Sequence, residues 1–437
     1  MDKILSLLRF FLVAIQFLWI LVTQFVYYYF IDNNKSNNLK FITQRLSNIN
    51  ILYVKLFQGL SLNEQFFSDE LNNELIKFTD HAPWTFKDLD LKTIHDVIYD
   101  NDIKMVDHMD QPMNSGMISL VYRVKDRNDK QFILKIKRKG IDTKLKHAID
   151  DIVNFIDIIS FLPFIKRFNI QTSVVKSTDM ILSQLDFACE VSNIITFNNN
   201  CKNLDYITIP QVNDEITVKY PNVILMEFIE GNPINKIDKC DYKYFAPLVV
   251  KFGLVTSFFH GISHGDLHMG NILFIKKDDK YKIGILDFGI VYKLDNKLKE
   301  VVFKIINDYN RTEPEEMALN LLSSGLIEPI EIIQNLPKER YDELLHMLRE
   351  IMAEFFSKTQ KANQLMIYKF LERLHEFLKH KDINNLNLKP SSQFVQSQVS
   401  IAMAQGVTAK LIEGEDLTDY FDKIISQLFH LDLITDD

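Results

Sequence analysis

The sequence predicts an α+β protein of two lobes, the first rich in strands and the second helical, behind a helical extension and an apolar N-terminal segment. Apolar and polar residues alternate over positions 118–123, as in a β-strand, whereas helical apolar spacing fills most of the chain after Pro233. The turn-forming residues 230–233 separate the two patterns. The 437 residues suffice for two hydrophobic cores, and 47% apolar with 25% charged residues is typical of a folded protein.

These patterns divide the chain into four predicted parts. They are a membrane anchor with its linker, a helical extension, a strand-rich lobe with a helical insert, and a helical lobe. Their limits are 1–35, 36–104, 105–232 and 233–437.

The first element is an apolar segment, Phe10 to Ile31, which contains no charged residue and has three tyrosines near its end. About 20 residues suffice to cross the roughly 30 Å hydrocarbon core, and tyrosine favours the interface. The segment is therefore predicted to be a single transmembrane helix; a cleaved signal peptide and a buried or interfacial helix are the alternatives. A polar linker, Asp32 to Asn38, and a helix from Phe41 to Leu60 are predicted to follow.

The next elements are strands. Residues 118–122 and 132–134, separated by the polar turn 126–130, predict a β-hairpin. Helical spacing returns from Thr143 to Phe197, and a compact apolar run over 222–228 precedes the lobe boundary. Beyond that boundary, a buried helix over 244–259, two short strands and a mostly helical remainder are predicted.

Composition excludes two classes of function. The formal net charge of -8 disfavours a general nucleic-acid-binding protein, because the basic run 135–139 is too short to neutralise a phosphate backbone. Cys189, Cys201 and Cys240 show neither zinc-ligand nor disulfide-framework spacing, which favours a reducing compartment.

The strongest chemical signal is the stretch 264–271, His-Gly-Asp-Leu-His-Met-Gly-Asn, followed by Asp-Phe-Gly at 287–289. Phosphoryl transfer needs a carboxylate to orient the acceptor, and an amide oxygen and a second carboxylate to hold magnesium. Asp266 is the predicted catalytic residue, and Asn271 and Asp287 are the predicted metal ligands. Their order and spacing match those of protein kinases. A protein-kinase-like site for ATP and Mg²⁺ is therefore predicted.

A kinase also needs a strand lysine that holds the phosphates and a helical glutamate that holds the lysine. Lys135 ends an apolar strand, and Glu190 lies in a stretch with helical spacing, so we assign these roles to them. The other residues predicted to bind ATP lie in the loop and strand before the lysine and in the apolar run after it: Asn114, Ser115, Gly116, Val121, Met226 and Phe228.

Four segments together resemble the UbiB-type atypical kinases, the ubiquinone biosynthesis kinase-like family. They are the Lys-x-x-Gln motif at 55–58, the lysine strand 132–140, the loop 264–271 and the closing segment 404–408. The resemblance implies a two-lobed kinase-like fold with a helical extension over the active site, membrane association, and ATPase activity that supports coenzyme Q biosynthesis. It also implies a regulatory extension that involves Lys55, Gln58 and Asp186, in which Lys55 faces the polar groups around Asp186 and Glu190.

The sequence departs from the family pattern at several positions. The glycine-bearing stretch 113–119 replaces the alanine-rich nucleotide loop of the family. Phe57 replaces a glycine of the family motif, and Gln184 replaces a residue with a carboxylate. No Ala-Pro-Glu motif follows Asp-Phe-Gly, a helix is expected already at 294–309, and Gly265 replaces the arginine with which conventional kinases hold a phosphorylated loop. These differences favour ATP hydrolysis or a small-molecule or lipid-linked acceptor over protein phosphorylation.

The sequence thus predicts a single-pass membrane protein with kinase-like lobes in a reducing compartment, whose partners are ATP and a membrane lipid or small molecule. The predicted function is an atypical kinase or ATPase in prenyl-lipid metabolism. The alternatives are a small-molecule phosphotransferase of the aminoglycoside or choline kinase kind, which shares the His-Gly-Asp loop, and a non-catalytic membrane scaffold switched by nucleotide. Nothing in the sequence indicates an oligomeric state.

Overall fold

The computed structural model describes the greater part of the chain. The described residues are 2–31, 35–50, 52–53, 82, 84–159, 178, 181–296, 299–300, 313–356, 377, 386–412 and 424. The predicted motif with Lys55, Phe57 and Gln58 lies outside them, as does most of the predicted helix 294–309.

The described α-helices are numbered in chain order. They are α1 Asp2–Phe30, α2 Lys35–Ile49, α3 Leu91–Asn101, α4 Ile141–Ile159, α5 Phe187–Cys201, α6 Asp214–Lys219, α7 Tyr242–Leu254, α8 Pro314–Ser324, α9 Ile330–Gln334, α10 Lys338–Phe356 and α11 Ser392–Leu411.

The strands are numbered in the same way. They are β1 Lys104–Met105, β2 Asn114–Ser115, β3 Ser119–Lys125, β4 Gln131–Lys137, β5 Ile207–Thr208, β6 Val212–Asn213, β7 Val223–Glu227, β8 Ile262–His264, β9 Ile272–Lys277, β10 Lys280–Ile285, β11 Val291–Lys293, β12 Ile327–Glu328 and β13 Lys389–Pro390.

The chain forms two compact units. Unit 1 comprises Met1–Ser192 and Gln211–Phe228, and unit 2 comprises Asn193–Pro210 and Ile229–Asp437. Helix α5 begins in unit 1, and its residues from Asn193 onward belong to unit 2.

Unit 1 contains an antiparallel sheet of order β1-β3-β4-β7-β6, in which β2 also pairs with β3. The predicted hairpin is β3–β4, closed at its turn by a hydrogen bond from Asp126 N–H to the Lys130 carbonyl. Alternate β3 residues Leu120, Tyr122 and Val124 are buried against α3 and β7 residues in one core. The period-two pattern thus placed one face of this strand in the interior.

One face of helix α1 packs against the rest of unit 1. Phe17 is buried and its ring lies 4.8 Å from that of Tyr53 and 5.2 Å from that of Phe155 in α4. Arg9 forms an ion pair with Asp151 of α4, with Nε 2.9 Å from Oδ2. The other face exposes large apolar side chains. Residues 8–30 are long and apolar enough to cross a membrane, and few of them are buried inside the protein.

Helix α2 begins at Lys35, so it includes residues 35–38 of the predicted linker Asp32–Asn38 and begins before the predicted helix start at Phe41. The reason is that short polar residues such as those at 36–38 are favoured at helix N-termini. A run of such residues therefore predicts either a linker or the first turn of a helix.

Unit 2 is mainly helical, as predicted. One core joins α7, α8 and α10 through buried residues that include Val250, Leu321 and Leu348. Helix α11 packs closely on α7: a Cβ added at Gly253 would lie 3.0 Å from the Cβ of Ala404. The strands of this unit form the β9–β10 hairpin, joined by β5, the β8–β11 pair and the β12–β13 pair.

Candidate active site

In unit 1, Lys135 and Glu190 form a buried ion pair. Lys135 lies on β4, between Val121 of β3 and Ile224 of β7. Its Nζ is 2.6 Å from Oε1 of Glu190, and the side chains are 10% and 3% exposed. Because β4 has a neighbouring strand on each side, the lysine backbone is fixed, and the pair offsets the cost of burying each charge. Lys137 pairs instead with the exposed Asp142, at 3.4 Å.

Asp186 caps the helix that carries this glutamate. Its Oδ1 accepts a hydrogen bond from Cys189 N–H at 3.0 Å, and its carbonyl accepts one from Glu190 N–H at 3.1 Å. These are the bonds of an N-cap residue, which satisfy amide groups that have no partner within the helix. The structure thus gives Asp186 a local function; Lys55, its predicted partner, lies outside the described residues.

The other residues predicted to bind nucleotide also lie in unit 1. Asn114 and Ser115 form β2, Gly116 closes a turn through its N–H and the Ser119 carbonyl at 2.9 Å, and Val121 is opposite Lys135. Two more lie at or just after the end of β7, the buried Met226 and the half-buried Phe228.

Unit 2 carries the catalytic-loop motif directly after β8. The buried ring of His264 accepts a hydrogen bond at Nδ1 from Asp266 N–H at 3.2 Å, and its Nε2 bonds the carbonyl of Asp287. Burial lowers the pKa of His264, although Asp266 and Asp287 partly oppose this effect. A neutral ring with the proton on Nε2 satisfies both bonds. One histidine therefore joins the two predicted motifs.

Asn271 fixes the same loop from its other end. Its Nδ2 donates to the Asp266 carbonyl at 2.9 Å, which leaves Oδ1 as the atom able to bind a cation. Because Ile272 of β9 pairs with Ile285 of β10, the residues beyond them are neighbours, and Leu286 N–H donates to the Asn271 carbonyl at 3.1 Å. The β9–β10 hairpin thereby positions Asn271 near the strand end that leads into Asp287.

Asp287 is held by its own turn. Its Oδ1 accepts a hydrogen bond from Gly289 N–H at 2.9 Å. Asp266, Asn271 and Asp287 are all half-buried. Carboxylate and amide oxygens on a fixed backbone are the ligands that Mg²⁺ prefers, so the residues present fit a magnesium ion bound with nucleotide phosphates.

One contact at this site was not predicted. Asn193 of α5 is buried and donates from Nδ2 to the Phe288 carbonyl at 3.0 Å, while Phe197, one turn later, lies 4.9 Å from the Phe288 ring. Both residues therefore fix the Asp-Phe-Gly segment. The available signal was spacing: Glu190, Asn193 and Phe197 follow the 3–4 rhythm of one helix face.

One unit carries a strand lysine paired with a helix glutamate. The other carries an Asp-Asn loop followed by Asp-Phe-Gly. These features define a protein-kinase-like protein. The model of the ABC1 atypical kinase-like domain matches residues 89–319. The chain therefore belongs to the ABC1 atypical kinase-like family, which confirms the resemblance seen in its motifs.

Several relatives carry kinase names. A probable protein kinase UbiB of Shewanella sp. (strain W3-18-1) is 29% identical over 300 residues, 66% of this chain and 53% of that protein. The chloroplastic protein ACTIVITY OF BC1 COMPLEX KINASE 8 of Arabidopsis thaliana is 22% identical over 341 residues, 71% of this chain and 44% of that protein. The chain thus spans about half the length of these relatives.

Among solved structures, Rv3197 of Mycobacterium tuberculosis, in its complex with erythromycin, is similar to this chain. The sequences are 19% identical, the match covers 84% of this chain and 90% of that one, and the TM-score is 0.48.

Proposed function

We propose that this protein is an atypical kinase or ATPase that binds Mg²⁺ and ATP at a membrane and supports prenyl-lipid, or ubiquinone, metabolism. The observation that carries the proposal is the set of hydrogen bonds that His264 and Asn271 make to the backbone of Asp266 and Asp287. Such a network fixes two carboxylates on one loop system before a ligand arrives, which is what phosphoryl transfer requires. The UbiB name of several relatives supports the pathway.

Each predicted site residue has a role in this proposal. Oδ1 of Asn271 and the carboxylate of Asp287 hold magnesium, which would neutralise charge on the phosphates when bound. Asp266 orients the acceptor hydroxyl or water and takes its proton. Lys135 holds the nucleotide phosphates, and Glu190 keeps its ammonium group in place.

The proposed acceptor is water, a small molecule or a lipid-linked molecule. A peptide substrate needs the platform that an Ala-Pro-Glu segment builds in conventional kinases, and this sequence lacks that motif. The apolar, exposed face of α1 supports a location at a bilayer, where a lipid-linked acceptor is available.

Turnover of the full-length chain on lipid vesicles tests the catalytic part of the proposal. We expect Mg²⁺-dependent release of ADP, stimulated by phenolic or prenylated additives and lost in Asp287→Asn. Release of a phosphorylated additive would identify a kinase, and release of inorganic phosphate an ATPase. Nucleotide-dependent thermal shifts without turnover above the Asp287→Asn background would contradict the proposal and identify a nucleotide-switched scaffold.

Vesicle flotation tests the membrane part separately. Leu18 and Val22 are 51% and 57% exposed on α1. Replacing both with lysine therefore leaves unchanged the face of α1 that packs against the rest of unit 1. Charge within an apolar membrane segment is costly, and we expect the double variant to lose flotation. Val218→Lys is the matched control, because Val218 is exposed on α6. Flotation of the double variant at the parental level would exclude α1 as the anchor.

A further inference from the structure

Arg138 follows the lysine strand and is 5% exposed. Its guanidinium group reaches back to the predicted nucleotide loop: Nε and Nη2 donate to the Gly116 carbonyl at 3.0 and 2.7 Å. Its own N–H also donates to the Ile118 carbonyl at 2.8 Å. One residue thus holds the loop on both sides of its turn.

The same guanidinium group contacts a distant part of the chain. Nη2 of Arg138 donates to the Ala82 carbonyl at 3.2 Å, and that oxygen also accepts from the hydroxyl of Ser115 at 2.7 Å. Ala82 N–H in turn donates to the Ser115 carbonyl at 2.9 Å. These hydrogen bonds hold the chain at Ala82 beside Ser115 of β2, the residue directly before the loop glycine.

Opposite charge stabilises the arginine in this position. Oδ2 of Asp88 lies 3.5 Å from Nη1, and Oδ1 of the same carboxylate lies 2.8 Å from Nζ of Lys144 on α4. Burial lowers the pKa of Arg138 and Asp88 partly restores it. A guanidinium group remains protonated in proteins, so the loop carbonyls accept charge-assisted hydrogen bonds, which are stronger than neutral ones.

A buried arginine is costly unless its donors are satisfied, and these donors are directed to loop carbonyls. We propose that Arg138 is a positioning residue for the nucleotide loop. It holds the loop in the conformation that receives phosphate, and it connects the loop to the chain at Ala82. The identity of the ligand rests on the proposed function. The contacts that fix the loop are independent of it.

This arrangement predicts a specific kinetic signature. Loop amides bind the phosphates of the ground state and of the transition state alike, and loss of such uniform binding raises KM without lowering kcat. For Arg138→Met we expect the KM for Mg–ATP to rise by about tenfold while kcat stays within about twofold. Arg138→Lys retains one charged donor and should recover part of the loss. Ser115→Ala should act in the same direction, by less.

Hydrogen exchange of the full-length chain without nucleotide tests the loop directly. We expect amides 114–119 to exchange faster in Arg138→Met by about tenfold, because their opening loses charge-assisted bonds. Arg123→Met is the matched control: Arg123 lies on β3 of the same sheet, and its Nη2 is 3.8 Å from Asp107. It should leave both the exchange of the loop and the KM unchanged.

Unchanged exchange at 114–119 in Arg138→Met would overturn the proposal, as would a fall in kcat at constant KM. If that variant fails to fold, Arg138→Lys and Ser115→Ala decide, and parental exchange in both overturns it. If the parental chain binds no nucleotide, the proposed function fails, and the exchange experiment still determines whether Arg138 fixes the loop.

Discussion

Unit 1 fixes its central functional group with a second side chain, whereas unit 2 fixes the backbone that carries its functional groups. In unit 1, the carboxylate of Glu190 meets the ammonium group of Lys135 at 2.6 Å in a buried environment. In unit 2, the side chains of His264 and Asn271 bond main-chain atoms of Asp266 and Asp287. The carboxylates themselves belong to half-buried residues.

The difference indicates where a substitution should have its effect. Removal of one member of a buried ion pair is destabilising, since it leaves the other charge buried and uncompensated. A carboxylate on an independently fixed backbone contributes to ligand binding or to the transition state instead. Variants of the buried Lys135–Glu190 pair should therefore alter unfolding, and variants of Asp266 and Asp287 should alter turnover or ligand binding.

The largest expected effect is on turnover. Asp266→Asn should lower kcat by roughly 10² to 10⁴, because it removes the base that acts in the transition state, while nucleotide affinity stays within a few fold. Steady-state ATP turnover and nucleotide titration measure the two quantities. The matched control is Asp278→Asn in the β9–β10 turn, where φ is 48°, a conformation that asparagine tolerates. Parental turnover in Asp266→Asn would remove this residue from the catalytic site.

The next effect is on stability, in unit 1. Glu190→Leu should cost about 3 to 5 kcal/mol, because it leaves the Lys135 ammonium group buried without its partner. The double variant Lys135→Met with Glu190→Leu should recover much of this loss. Chemical denaturation of the parental chain, both single variants and the double variant completes the cycle. A double variant whose loss equals the sum of the single losses would show that the pair contributes no coupling energy.

A smaller effect is expected on magnesium-dependent binding. Asp287→Asn should weaken nucleotide affinity by tenfold or more in the presence of Mg²⁺, since one charge-assisted contact is worth about 1.5 to 3 kcal/mol. Thermal shift at varied Mg²⁺ and nucleotide concentrations measures the change. Equal Mg²⁺ dependence in both proteins would mean that another residue is the main metal ligand.

The smallest effect concerns α5. Asn193→Ala removes one hydrogen bond and leaves the buried Phe288 carbonyl without this donor, which should cost about 1 to 3 kcal/mol and lower turnover by a few fold. Asn198→Ala is the control, because it removes a bond from the same helix to the Pro210 carbonyl, at 2.8 Å. If both variants reduce turnover equally, Asn193 contributes to helix packing and not to the Asp-Phe-Gly segment.

The sequence predicted the fold class, and it did so where the signals are local. The β3–β4 hairpin follows from alternating residues and a polar turn, and the helical second unit follows from apolar spacing. The start of α2 was misplaced because short polar residues suit both a linker and a first helical turn.

Contacts between residues distant in sequence were harder to predict. Arg138 reads as part of a basic run, and Asn193 as one of several polar helix residues. Each gains its position from a backbone carbonyl far along the chain, at Gly116 and Phe288 respectively. Carbonyl acceptors exist at every residue, so the sequence carries no mark of which one a side chain will meet.

Gly265 constrains how regulation of this protein can evolve. Its N–H donates to the Ile290 carbonyl at 2.8 Å, and a Cβ added there would lie 2.8 Å from Cε2 of Tyr292 and closer still to Cγ2 of Ile290. An arginine at this position, which would allow a phosphorylated loop to control activity, requires that both neighbours first be repacked. The single substitution Gly265→Arg would place its Cβ against both side chains, so this form of control needs accompanying changes at Ile290 and Tyr292.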